Sequence, residues 1–356
     1  MRQLFQALTG LPHRGSATAL EAQAAEVLKA HLEGRGHRVE TQRFKAPRSY
    51  GPELILISSL LAFGGLLVLW PLALLGAYGF WAYFSGGSPF WSRLFDRYDS
   101  QNLLWRAGSG PKTLVLMAHY DTAKTFFLYH PKRVKGFRLN FLVNTALALA
   151  TPLLALAVPG GARLVGLYFL VQALLLIHRE YSAPYVNGAN DNASGVVVAV
   201  ELFERWAPGP PGWQVVLALT GCEEVGAKGA EHLAHSGLIP QDALVLNLDN
   251  VGRGELFYAT GEGMLTYRPY AGLLVEKARQ ISGAAPIEYR LAYFDARPFA
   301  AKGYPCLTLI RLRDGLPPNW HWPSDTPENL DPLALEHTLE YAQTLLQSLT
   351  VRLESV

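Results

Sequence analysis

The chain has 356 residues, half of them hydrophobic, with 17% charged and a formal net charge of +2. A soluble globular domain averages about 25% charged residues, so apolar sequence is concentrated somewhere along this chain. Near-neutral charge and the lack of any basic stripe argue against a nucleic-acid partner.

In chain order, Met1 to Gln23 is a polar, helical start without the apolar core of a signal peptide. Leu20 to Leu32 carries apolar residues at helical spacing, which predicts a helix packed on a sheet. From Leu54 to Ser92 there is no Asp, Glu, Lys, Arg or His. A bilayer crossing takes about 20 apolar residues, so this stretch suffices for two short crossings that break near Trp70-Pro71 or Gly76. Lys112 to Ala118 is an apolar run ending in His119-Tyr120-Asp121. The basic cluster from Lys132 to Arg138 stands beside a second apolar stretch, Leu139 to Ile177, interrupted only by Arg163. Pro159-Gly160-Gly161-Ala162-Arg163 predicts a turn, which leaves Leu139 to Val158 as one crossing and Leu164 to Ile177 as a short one. Asn190-Asp191-Asn192 then precedes a helix from Ser194 to Trp206. The strand from Trp213 to Thr220 leads to Glu223-Glu224 and a helix from Gly226 to Ser236. Ala243 to Leu248 leads to Asp249-Asn250, and a helix from Leu333 to Leu353 closes the chain.

Short apolar runs alternating with helices imply a mostly parallel sheet buried on both faces. Ligands of such sheets gather beyond the carboxyl ends of the strands, and every acidic or histidine motif sits at such an end. With His321 they supply two imidazoles and a set of carboxylates, the inventory of a two-zinc hydrolytic site with a spare glutamate as base. Each acid taken singly could merely cap a helix; five together point to chemistry.

These motifs resemble the M28 family of zinc peptidases, aminopeptidases with two co-catalytic zinc ions. The matching stretches are Ala118-His119-Tyr120-Asp121, Gly188 to Gly195, Glu223-Glu224-Val225-Gly226, Leu248-Asp249 and His321 to Pro327. The resemblance implies an α/β fold of the zinc aminopeptidase or phosphorylase/hydrolase-like kind, with a mostly parallel mixed sheet flanked by helices. It also implies that His119 and Asp249 bind one zinc and Glu224 and His321 the other, with Asp191 bridging. Glu223 would be the general base and Asp121 the partner that orients His119, unless Asp121 serves only a local turn. Asp325 is expected to organise its own loop. Where family members often carry a tyrosine before the last histidine, this chain has Trp320. The segment Tyr293 to Phe299 resembles one that lines the family's substrate cleft, which makes Asp295 and Arg297 candidate substrate residues. Arg297 would meet a substrate carboxylate or be a solvated surface arginine.

The two apolar stretches are insertions relative to that family core. The expected organisation is a catalytic domain from residues 1–53, 93–138 and 179–356, with helical hairpins at 54–92 and 139–178. Asp121 and Asp191 flank the second insertion and belong to one site, so each insertion leaves and returns on the same side. Two transmembrane hairpins satisfy this, as would a re-entrant pair or an apolar lid. Arg48, Arg93, Arg97, Lys132, Arg133, Lys135, Arg138 and Arg179 flank the insertions, whereas the distal loops offer only Arg163. Positive charge stays on the cytoplasmic side, which predicts a multi-pass protein of the cell membrane whose catalytic domain faces the cytoplasm. Reduced thiols at Cys222 and Cys306 suit that placement. The aromatic segment Phe80 to Phe84 with Phe90-Trp91 forms an interfacial belt or a hydrophobic wall beside the cleft. The partners expected are therefore a peptide and the lipid bilayer; the sequence is silent on oligomeric state. Two other activities remain: a non-catalytic receptor or scaffold module, against which the complete ligand set argues, and a glutaminyl cyclase-like enzyme using one zinc.

Overall fold

A computed structural model describes residues 1–207 and 209–350. The chain begins with α1 (Arg2–Thr9), α2 (Ala19–Glu33) and β1 (Glu40–Ala46), then the apolar helices α3 (Gly51–Leu66) and α4 (Trp70–Phe84). Strands β2 (Tyr98–Gly108) and β3 (Lys112–His119) precede the second apolar pair, α5 (Phe137–Ala157) and α6 (Pro159–Ser182). Next come α7 (Gly195–Trp206), β4 (Trp213–Thr220), α8 (Lys228–His235), β5 (Leu244–Leu248), β6 (Glu255–Glu262) and β7 (Arg268–Pro269). The chain ends with α9 (Leu273–Ala278), β8 (Ala285–Tyr289), α10 (Ala296–Ala301), β9 (Cys306–Leu312) and α11 (Pro332–Thr350). The last residues of the predicted closing helix, 351–353, lie outside the described residues.

The strands form one sheet in the order β1-β2-β4-β3-β5-β9-β6-β7, with β8 beside β6. Its four central strands, β4, β3, β5 and β9, are parallel, while β1, β2, β6 and β7 pair antiparallel. The sheet is thus mixed, with parallel register concentrated at its centre. Successive side chains of a strand point to opposite faces, so the burial of every β3 residue from Thr113 onward means that helices cover both faces. Val196 to Val200, Leu202 and Phe203 of α7 pack into this core with Leu114 to Ala118 and Val215 to Leu219. Both cysteines are free and fully buried.

The apolar insertions build a second, separate core from Ile57, Leu61, Phe80, Phe141, Ala148 and Phe169. Small residues set the helix spacing. A Cβ placed on Gly65 of α3 would lie 2.5 Å from the Ala162 carbonyl oxygen of α6, and one on Gly166 would lie 2.6 Å from the Leu66 nitrogen. The first hairpin turns at residues 67–69, just before Trp70-Pro71 as read. The second corrects the sequence reading. Only Val158 separates α5 from α6, and Pro159 opens α6 at a position where its missing N–H is harmless. Gly160 to Arg163 are therefore helical, and α6 is 24 residues long rather than a short segment. By length and composition α5 and α6 suffice to cross a membrane, whereas α3, with 16 residues, falls short.

The bundle is rooted in the sheet-bearing part of the fold through Arg179. Its Nε donates to the Thr125 carbonyl at 3.1 Å, Nη2 to the Lys124 carbonyl at 2.9 Å, and Nη1 to Ser49 Oγ at 3.1 Å and Glu180 Oε1 at 2.7 Å. The guanidinium also lies over the Tyr50 ring, 4.1 Å from its centroid.

Candidate functional site

His119 closes β3 and Asp121 follows it by two residues. Asp191 occupies an irregular turn, residues 189–194, that feeds α7; Glu223 and Glu224 follow β4, Asp249 follows β5, and His321 lies between β9 and α11. These are four adjacent parallel strands, so the fold collects the residues at one sheet edge. The backbone is bent sharply there: Cys222 (φ 57°), Asn250 (φ 54°) and His321 (φ 47°) all adopt left-handed conformations that non-glycine residues rarely take. Each of these bends is at, or within two residues of, a candidate ligand. Asn250 is held in place by the Asn192 Oδ1 that accepts its N–H at 3.2 Å.

The Asp191 carboxylate spans the cluster. Its Oδ1 lies 3.2 Å from Nε2 of His119, and its Oδ2 lies 3.2 Å from Nε2 of His321. Asp249 Oδ1 approaches the same His119 nitrogen at 3.7 Å, and Glu224 Oε2 approaches the His321 nitrogen at 3.0 Å. Donor atoms of His119, Asp191 and Asp249 lie within 4.8 Å of one another, as do those of Asp191, Glu224 and His321. Glu223 Oε2 stands 3.9 Å from His119 Nε2.

Around this ring of donors lies a layer of positioning contacts. Asp121 Oδ1 is 3.4 Å from Nδ1 of His119, and the Asp121 carboxylate also accepts the main-chain N–H of Glu223 at 2.9 Å, that of Glu224 at 3.2 Å and the Ser16 hydroxyl at 2.6 Å. It does far more than close a local turn. Asp325 exceeds its expected role as well, because it accepts the N–H groups of Asn190 at 2.7 Å and Asp191 at 3.0 Å across the site. Arg14, fully buried, donates to the carbonyls of Tyr120 at 2.8 Å, Asn187 at 2.7 Å and Gly188 at 2.8 Å, and so ties the His119 loop to the Asp191 loop. The start of the chain is therefore not only a polar helix; after α1 a loop delivers Arg14 and Ser16 to the site.

The electrostatics are those of crowded carboxylates. Burial, reinforced by the neighbouring Asp191, pushes Glu224 up to about 7. Burial also raises Glu223 well above the usual carboxylate range, with Glu224 and Asp295 adding to it. For His321, burial alone would favour the neutral ring, but Glu224 and Asp191 outweigh it and lift the imidazole to about 10. Nε2 of His119 and Oε1 of Glu224 are buried without a hydrogen-bond partner among the described residues. A buried set of two imidazoles and three carboxylates with orphaned donor atoms fits zinc, which takes nitrogen and carboxylate oxygen ligands.

A model of peptidase family M28 matches residues 103–346. The chain belongs to that family. It is a zinc metallopeptidase, which sets aside the non-catalytic module. No curated protein sequence matches it. Among solved structures it is similar in fold to BSAP, a zinc aminopeptidase from Bacillus subtilis, at 14% identity over 100% of this chain and 96% of that one, with a TM-score of 0.61. It is also similar to the glutaminyl cyclase of Tannerella forsythia at 16% identity, 97% and 96% coverage and a TM-score of 0.58. A Zn-dependent exopeptidase from Parabacteroides distasonis follows at 14% identity, 98% and 95% coverage and a TM-score of 0.55.

In this M28 chain a cavity of about 750 Å³ opens onto Asp191, Glu223, Glu224, Asp249 and His321. Trp320 lines it, its ring 5.2 Å from that of His321. Two expectations for the neighbouring segment need correcting. Asp295 does not face the cavity: it is wholly buried at the start of α10 and accepts a hydrogen bond from the hydroxyl of Thr220 at the end of β4, while Phe294 and Arg297 take the wall positions on either side. Arg297 is no solvated surface residue but is 7% exposed, stacked 4.3 Å from the Tyr293 ring centroid and donating to the Ser85 carbonyl. Its Nη1 has no partner among the described residues. Tyr129, whose ring lies 4.6 Å from that of His321, and Tyr289 complete the wall and were not singled out from the sequence. No motif marks them.

Proposed function

We propose that this M28 chain is a membrane-embedded aminopeptidase with two zinc ions, removing residues from the free amino ends of peptides. The reading is carried by Asp191, whose two oxygens each reach one histidine at 3.2 Å, with Asp249 on one side and Glu224 on the other. His119 and Asp249 would hold one ion and Glu224 and His321 the second, with Asp191 shared. Zinc bound there supplies Lewis-acid activation of water and of the scissile carbonyl. Glu223, anchored through its N–H by Asp121, takes the proton of the attacking water and hands it to the leaving amine. Asp121 fixes the ring of His119 through Nδ1, and Arg14 and Asp325 keep the loops from spreading.

The membrane part of the proposal rests on the outer faces of the apolar helices, where Phe63, Leu67, Trp70, Leu153, Leu164 and Leu174 are exposed. So large an apolar surface is unfavourable in water and ordinary in lipid. The turn at residues 67–69 has no polar side chain and α3 is short, so the first hairpin would be re-entrant beside a crossing α5–α6 pair. Flanking Arg48, Arg93, Arg97, Lys132, Arg133, Lys135 and Arg138 would keep the catalytic domain in the cytoplasm; Arg179, buried against Glu180, leaves that tally.

One further activity has an observation in its favour. Asp191, Glu224 and His321 alone make a three-ligand site, the number a catalytic zinc needs, and a chain loading one ion there would suit a glutaminyl cyclase-like reaction. Detergent-purified, zinc-loaded protein offered peptides with free and with acetylated amino ends separates the readings. Cleavage of the free set alone, one residue at a time, with two zinc ions per chain, is expected; ring closure of amino-terminal glutamine with one ion would overturn the aminopeptidase.

A further inference from the structure

The cavity does not end at the donor cluster. It reaches charged residues on one side, among them Glu231, His235 and Lys302, and on the other it continues between the apolar helices. There Ile57 of α3, Phe80 of α4, Phe141 of α5 and Leu175 of α6 line it. Soluble peptidases need no such branch, since a cleaved peptide can lie in an open groove.

The branch is apolar but not a plain hydrocarbon tube. Gln172 Nε2 donates to Ser58 Oγ at 3.1 Å, and both residues line the cavity. Asn144 also lines it and is 6% exposed; its Nδ2 is used by the Asn140 carbonyl one turn earlier at 2.8 Å, whereas its Oδ1 has no partner among the described residues. A buried amide oxygen left unpaired is unfavourable, so the occupant of this branch should bring a donor. A fatty acyl chain brings none. An extended peptide brings one N–H per residue, and in an apolar channel its own backbone needs partners as much as the channel does.

We propose that the branch between α3, α4, α5 and α6 holds the apolar body of a peptide whose free amino end lies at the donor cluster, with Asn144 Oδ1 accepting a backbone N–H. The substrate class is then the apolar peptide of several residues, of the kind that partitions into a bilayer, and not the short polar peptide. This inference rests on the aminopeptidase reading.

The test uses the full chain in detergent, zinc-loaded, with three free-amino substrates sharing one amino-terminal residue: a dipeptide, an eight-residue peptide with an apolar body and an eight-residue peptide with a Gly/Ser body. The apolar octapeptide is expected to exceed the Gly/Ser octapeptide in kcat/KM by tenfold or more. Asn144→Leu should lower kcat/KM on the apolar octapeptide by about tenfold, the scale of one hydrogen bond to a buried acceptor, mainly through KM, and by more than on the dipeptide. Equal rates on the two octapeptides, or a KM for the apolar octapeptide untouched by Asn144→Leu, would overturn the inference and leave the aminopeptidase standing. Preferred hydrolysis of N-fatty-acyl amino acids would overturn it in favour of an acyl channel. Failure to cleave any of the three free-amino substrates would sink the aminopeptidase reading itself. In that case binding of a fluorescent apolar peptide, weakened by Asn144→Leu or not, still decides what the branch holds.

Discussion

Asp325 grips the main chain at Asp191: its two carboxylate oxygens accept the N–H groups of Asn190 and Asp191 at 2.7 Å and 3.0 Å. An asparagine side chain at this position would offer only one acceptor and turn an NH₂ toward the other N–H. Asp325→Asn should therefore loosen the one residue that touches both histidines. Zinc affinity is expected to fall about 10- to 100-fold, measured by competition with a chelator of known affinity. Unchanged zinc affinity would mean that the Asp191 turn is held by other contacts.

Glu223→Gln separates proton transfer from metal binding. The side chain keeps its shape and the Asp121 contact to its N–H, but it can no longer accept a proton. Turnover should drop by about 10² to 10⁴ while the bound zinc, measured by elemental analysis, stays at the wild-type level. Near-normal turnover would remove Glu223 from the base role.

The contact between α3 and α6 depends on having no side chain at Gly166, where a Cβ would meet the Leu66 nitrogen at 2.6 Å and the Ala62 oxygen at 2.8 Å. Gly166→Ala should destabilise the detergent-solubilised chain by about 1–3 kcal/mol in thermal unfolding. Gly160→Ala on the same helix meets nothing within 4 Å and is expected to be neutral or stabilising by a few tenths of a kcal/mol, roughly. Equal effects of the two would show that helix propensity, and not packing, governs the site.

A pH signature is expected from Glu262, at the end of β6 and outside the apolar helices. It is fully buried, receives the Tyr270 hydroxyl and the Phe294 N–H, and is pushed by burial up to about 8. The folded chain holds this proton more tightly than the unfolded one, so its contribution is whole below the ordinary carboxyl value and is lost as pH rises toward 8. On the order of 2–4 kcal/mol of stability should disappear between pH 5 and 9. Glu262→Gln should flatten that slope in unfolding titrations; parallel slopes for the two proteins would assign the pH dependence to another group.

The donor cluster was legible in the sequence because each of its residues ends or follows an apolar run, and a parallel sheet brings strand ends together. β4 was likewise read with its observed bounds, since its residues are almost all buried. The polar strand β1, Glu-Thr-Gln-Arg-Phe-Lys-Ala, shows no such run, for it lies at an edge with one face toward water. Arg14 escaped notice, and Asp325 was expected to serve only its own loop, for a different reason: their partners are more than 100 residues away and are main-chain groups, which leave no mark on residue type. The α5–α6 turn was misplaced because Pro-Gly-Gly suits a helix start as well as a loop. The Arg297 environment depended on Ser85 and Gly86 folding over it, a contact between segments more than 200 residues apart that local sequence does not encode.

Arg179 has its charged end among the loops that leave His119 and its backbone in α6. Cutting the apolar helices away would strip the Lys124 and Thr125 carbonyls of their donors just past Asp121 and leave one side of the cavity without a wall. What remained would be a damaged enzyme and not a soluble miniature of it. The four helices are thus built into the body that carries the donor cluster, and any simplified version must replace the floor they provide.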